Sequence, residues 1–152
     1  MKIIYSVSFL LIFVSFTCKE STSPIEWSGI VVTDEFGLVQ KEDPDDWQPR
    51  CNNEDNAEFC IMYVFPNPTD TLITFAFFVS DTADVEITIQ DFPGHTIAHI
   101  DSLYYSRGLQ HVKWITKYMD GNFLQNGIYR AFISAKTSEN LIKSYGDIQI
   151  IR

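Results

Sequence analysis

The chain has little of what nucleic-acid binders and most enzymes need. It carries 11 Lys and Arg against 20 Asp and Glu, a formal charge of -9. Nucleic acid requires a basic face, so it is not expected as a partner. Histidine is scarce, with 3 in the chain, and there is neither a Gly-x-Ser-x-Gly elbow nor a glycine-rich phosphate loop. No catalytic set and no cofactor is therefore expected. Long apolar runs are also missing: Ile3 to Phe16 is uncharged but short of the roughly 20 residues a helix needs to cross a bilayer core. No segment is long and periodic enough to predict a helix. Only 3 cysteines are present, which allows one internal disulfide and leaves one thiol over.

What is present begins with an address. Lys2, the apolar run and the abrupt polar turn at Cys18-Lys19-Glu20 read as a secretory signal over residues 1–17, placing the mature chain outside the cytoplasm. Cys18, just after the run, resembles the lipid-attachment cysteine of bacterial lipoproteins, although Ser15-Phe16-Thr17 replaces the usual Leu, small residue and Gly or Ala. That resemblance implies an acylated N-terminus, with the membrane as partner and the outer membrane or cell surface as location. An ordinary signal with an incidental cysteine is the other reading, and leaves a periplasmic or secreted protein. Cys51 and Cys60 bracket a polar loop, and an oxidising compartment favours their pairing.

Residues 18–26 then form a short polar tether. Residues 27–60 read as one strand, Trp27 to Thr33, a turn at Asp34-Glu35-Phe36-Gly37, and a long acidic loop closed by the disulfide. Between Asp34 and Glu58 nine acids face only Lys41 and Arg50. Calcium favours clustered carboxylates on loops, which makes Asp43, Asp45, Asp46 and Asp55 weak candidates for a metal site, though the EF-hand order is absent. Trp47 beside them could stack on a sugar or pack onto the domain.

Beyond Ile61 short β-rich segments alternate with turn residues. Strands are expected at 61–65, 71–79, 85–90, 95–100, 109–115, 128–135 and 145–151, which is the pattern of an all-β antiparallel sandwich. Ile73, Phe75, Phe77 and Val79 share one face and are predicted to be core. Turns are expected at Asp91-Phe92-Pro93-Gly94 and Ser106-Arg107-Gly108. Glycines 94, 108, 121 and 127 fall where a sandwich must turn sharply, and Trp114 and Tyr129 are expected to fill the core. His95 and His99 have the spacing of a helical zinc pair, but four residues on a strand span about 13 Å, too far to share an ion.

Several of these residues carry a family likeness. Phe65-Pro66-Asn67-Pro68, Asp91-Phe92-Pro93-Gly94, Gly108 leading to Trp114, then Gly121 and Asn126-Gly127-Ile128-Tyr129, resemble in order, and from Trp114 to Tyr129 also in spacing, the C-terminal sorting domains of type IX secretion cargo. They are also similar to the Ig-like domain of the flagellar hook-capping protein. The resemblance covers about residues 61–152 and implies an Ig-like sandwich of about seven strands serving export, surface attachment or contact with envelope or secretion-machinery proteins. The sequence thus points to a non-catalytic envelope lipoprotein or secreted protein. The alternative is a surface module that recognises a glycan or calcium through the acidic loop around Trp47.

Overall fold

The computed structural model describes residues 29–51 and 57–152, all strands, turns and loops. The signal, the tether with Cys18, Trp27 and Asp55 lie outside the described residues. Seven strands are found among the described ones: β1 (Val32–Thr33), β2 (Val39–Lys41), β3 (Phe59–Phe65), β4 (Leu72–Gln90), β5 (Thr96–Ile115), β6 (Gly127–Lys136) and β7 (Leu141–Ile150). All strand pairings are antiparallel. The fold is an all-β, sandwich-like arrangement, as the alternation of the sequence requires.

Two strands are much longer than expected. The segments read as 71–79 and 85–90 are one continuous β4, and 95–100 and 109–115 are one β5. The sequence marks a break at Asp81-Thr82 because polar residues cluster there. However, it places no Gly or Pro in that stretch to turn the chain, and β4 passes through with only a register shift between Val79 and Thr82. Likewise Ser106-Arg107-Gly108 does not turn: Gly108, with φ of 127°, lies within β5 opposite Val79.

The long β4–β5 ribbon runs through both halves of the molecule. β3 pairs with β4 from Thr74 to Val79, and β6 pairs with the same side of the ribbon from Asp84 to Gln90, followed by β7. One buried cluster joins the two halves, with Phe59, Ile61, Phe75 and Phe77 from one and Ile87, Ile89, Ile133 and Ile148 from the other. Ile73, Phe75, Phe77 and Val79 are all fully buried, as predicted. Tyr129 is buried and its hydroxyl donates to Gln125 O, while Trp114 is partly buried against the cluster. The Asp34 to Gly37 turn forms as expected: Asp34 Oδ1 accepts the N–H groups of Phe36 and Leu38 at 2.9 Å. It leads into β2, which takes in the first residues of the stretch expected to be a loop.

Candidate functional site

The acidic segment sits along the edges of the sandwich, and its residues have separate fates. Its C-terminal end is fixed to β3. Cys51 and Cys60 are joined by a disulfide with Cα atoms 5.0 Å apart. Cys51 N–H donates to Ile61 O and Ile61 N–H donates to Pro49 O, both at 2.9 Å. Arg50 reaches back over the turn that precedes it, donating to Asp43 O at 3.0 Å and Asp46 O at 3.3 Å and pairing with Glu42.

Trp47 lies inside the fold, only 3% exposed. Its ring makes an edge contact with Phe75, centroids 6.2 Å apart, and also lies over Gly146. A Cβ on Gly146 would stand 2.2 Å from Trp47 Cε2, so the indole occupies space that any other residue at 146 would fill. Trp47 adopts φ of 61°, uncommon for a bulky side chain. Its N–H donates to Tyr145 O at 2.6 Å, so the surrounding contacts hold a backbone conformation that costs on the order of 1 kcal/mol or more.

Asp46 is equally buried and does not face solvent. Its Oδ1 accepts the N–H of Asp147 at 3.0 Å and its Oδ2 accepts that of Val31 at 3.2 Å. Burial pushes its carboxyl up to about 7, against the opposing effect of these two N–H donors, and the nearby Asp147 charge adds to the rise. Asp147 is itself held by Arg130 in a buried bidentate pair, 2.7 and 2.8 Å. Asp43 and Asp45 lie against each other. A hydrogen bond between their carboxyl groups raises the Asp43 value, followed by partial burial.

These contacts line up along the outer edge of β7. Tyr145 O accepts from Trp47, Asp147 N–H donates to Asp46, and Asp147 O accepts Asn67 Nδ2 at 3.0 Å. Gln149 N–H donates to Asn67 Oδ1 at 2.9 Å, Gln149 O accepts Thr69 N–H, and Ile151 N–H donates to Thr69 O. Six successive edge groups along and just past β7 are thereby paired by Trp47 and Asp46 of the acidic loop, by Asn67 of the Phe65-Pro66-Asn67-Pro68 segment and by Thr69 just after it. An unpaired strand edge is a template for unwanted pairing, and the loop and Asn67 remove that edge. Sequence inspection isolated both segments but had no signal for this role, because each contact spans a long stretch of chain.

As a metal site the segment is poorly arranged. Asp46 spends both oxygens on backbone N–H groups, and Asp43 and Asp45 are turned to each other. Among the described residues no group of three or more His, Cys, Asp or Glu side chains is placed to hold an ion. His95 and His99 face different carboxylates, Asp91 at 3.3 Å and Glu86 at 3.9 Å. The clefts are shallow. A small pocket beside Trp47 is lined by Val31, Val39, Arg50 and Tyr63. An open depression crosses the sheet over Asp84, Glu86, Tyr104 and Lys136.

No family model matches the chain, and no curated protein matches it. Among solved structures, the crystal structure of dimeric latent PorU from Porphyromonas gingivalis is similar over 62% of this chain, with a TM-score of 0.53 and 19% identity. The likeness spans 10% of the PorU chain, and at that identity it concerns the fold.

Proposed function

We propose that this chain is a non-catalytic, extracytoplasmic protein of the cell envelope, held by a lipid on Cys18, whose sandwich works through contact with envelope or secretion-machinery proteins. The observation that carries the reading is the way residues 29–51 enter the sandwich. Trp47 supplies core, Asp46 and Asn67 close the last strand, and a disulfide of the kind that persists in oxidising compartments fixes the loop. A sorting tag that is cut away near residue 60 would have to leave behind a tryptophan that its own core needs. The sandwich therefore fits a retained working domain better than a removable one. The fold likeness to PorU, a type IX secretion-related protein, agrees with the resemblance of Phe65-Pro66-Asn67-Pro68 and the following residues to sorting domains.

The alternative, recognition of a glycan or calcium by the acidic loop, has the geometry against it. Trp47 has no free face for a sugar, and Asp46 is buried away from any ion in solvent.

Intact mass of the mature protein from fractionated cells tests the reading. The expected species begins at Cys18, carries an acyl adduct and retains its C-terminal residues through Arg152. Loss of everything after about Ile61 would establish a removable sorting signal instead. A retained domain without an adduct would remove the lipid anchor from the proposal.

A further inference from the structure

The three long edges of the sandwich are treated differently. That of β7 is closed by Trp47, Asp46, Asn67 and Thr69. That of β3 is met by Pro49 and Cys51 at Ile61, and by Thr33 Oγ1, which donates to Val64 O at 2.8 Å. β5 pairs with β4 alone. Among the described residues, one backbone bond from outside the β4 pairing reaches β5, from Met119 N–H to Ile97 O. In the middle of the strand only its own side chains engage the backbone: Ser102 N–H donates to Asp101 Oδ1 and Ser106 O accepts Gln110 Nε2, both at 2.9 Å.

This open stretch has defined ends. A register shift between His99 and Asp101 places an extra residue, Ile100, in β5, and the Gly108 conformation marks the other end. Asp101 to Ser106 keeps a regular register with β4, and Arg107 follows where β4 carries an extra residue opposite it, between Val79 and Thr82; Tyr104 is the midpoint of Asp101 to Arg107. Ser102, Leu103 and Tyr104 are consecutively exposed, Leu103 at 61% and Tyr104 at 66%. Consecutive exposure on a strand means that both faces are uncovered, which a strand inside a sandwich layer does not show. The ends carry opposite charges. Asp101 accepts from Ser102 N–H and from the Tyr105 hydroxyl, which leaves lone pairs free. Arg107 is exposed and forms no ion pair with any described residue.

We infer that a second copy of this chain docks here, β5 against β5 in antiparallel register, with the two-fold axis at Tyr104. This goes beyond the functional reading above and does not depend on the anchor. Antiparallel pairing about Tyr104 sets Asp101 of each copy opposite Arg107 of the other, on the same face, so the charge match occurs twice. Leu103 meets Tyr105 of the second copy, Ser102 meets Ser106, and the two Tyr104 side chains meet at the axis. Cross-strand pairs of opposite charge and of aromatic with apolar residues both stabilise such a pairing. The register that would instead match Asp101 with Lys113 puts Arg107 against itself and is disfavoured. The bulge at Ile100 and the bend at Gly108 limit the match to this segment, a bounded recognition element that closes on itself as an isologous contact.

The test uses residues 19–152 exported behind a cleavable signal, which keeps every described residue. Sedimentation equilibrium is expected to show a concentration-dependent dimer. Arg107→Glu sets two pairs of like charges in place and is expected to shift the dissociation midpoint upward at least tenfold. The swap of Asp101→Arg with Arg107→Asp restores dimerisation. Tyr104→Cys is expected to give a disulfide-linked dimer under mild oxidation, whereas Leu72→Cys, on β4, does not. A wild-type protein that stays monomeric to high concentration overturns the inference, as does a dimer indifferent to Arg107→Glu or one that crosslinks equally at both cysteines.

Discussion

Asp46 accepts the backbone N–H of Asp147 at 3.0 Å across a sequence separation of 101 residues. Two carboxyl groups are brought together in the interior, one held by Arg130 and the other by two backbone donors. The contact ties the loop, β1 and the final strand into one unit, so the acidic segment acts as a structural part of the sandwich.

The pH dependence of stability should report this contact. Asp46 is raised by burial to about 7 from its ordinary 3.8. Folding therefore takes up a proton between these values, and the stability tied to neutral Asp46 is full below about 4 and lost as pH rises through about 7. Asp46→Asn keeps a neutral group throughout. In urea titrations its stability relative to wild type should climb between pH 4 and 7, by at most about 1.4 kcal/mol per unit. A constant difference across that range would show that Asp46 stays ionised in the fold.

Gly146→Ala should be costly despite being the smallest possible change. Its new methyl would stand 2.2 Å from the indole of Trp47, itself packed on Phe75. Overpacking of this kind costs about 1 to 3 kcal/mol, measurable by denaturant unfolding, with a shift in tryptophan emission as the ring moves. Gly127→Ala, whose added methyl would come no nearer than 3.7 Å to the Tyr129 ring, serves as a comparison for glycine replacement without a clash.

Asn67→Asp separates hydrogen bonding from shape. The amide of Asn67 donates to Val31 O at 2.8 Å and to Asp147 O at 3.0 Å, and its oxygen accepts from Gln149. A carboxylate fits the same volume but turns an oxygen toward two carbonyls at a fully buried position. A loss of at least about 2 kcal/mol is expected, with faster hydrogen exchange at Gln149. Near-neutral behaviour would mean that the amide does not order this edge.

Arg130→Met should destabilise more than the double change Arg130→Met with Asp147→Asn. The first leaves a buried carboxylate unpaired beside Asp46, a loss of about 3 to 5 kcal/mol, whereas removing both charges recovers much of it. A double-mutant cycle by thermal unfolding gives the coupling.

Reduction of the disulfide should lower stability by about 2 to 3 kcal/mol, the unfolded-state entropy of a loop this short. The loss should appear as a lower urea midpoint under reducing conditions, matched by Cys51→Ser with Cys60→Ser. Equal midpoints in both states would show that the hydrogen bonds from Ile61 N–H to Pro49 O and from Cys51 N–H to Ile61 O are sufficient to hold the loop.

Some of this was open to reading along the chain. Alternation named Ile73, Phe75, Phe77 and Val79 as core, because side chains on a strand alternate whatever the strand pairs with. Turns at Asp34 and Asp91 were also legible, since their aspartates bond to backbone groups only two to four residues away. The continuity of β4 and β5 was less so. Polar residues at 80–84 read as a break, yet they lie where the ribbon passes between its pairing with β3 and its pairing with β6, so exposure there does not end the strand.

By itself, the sequence determined the all-β class and the alternating core faces, both of which depend on composition and local spacing. Only the tertiary structure decided that Trp47 is core, that Asp46 and Asn67 close the edge of β7, and that β5 keeps an open one. The physical reason is the same in each case. A side chain's hydrogen-bond partner or packing neighbour is set by which strands meet in space, and residues such as Asp46 and Asp147 carry no local mark of one another until the final strand is laid beside the loop.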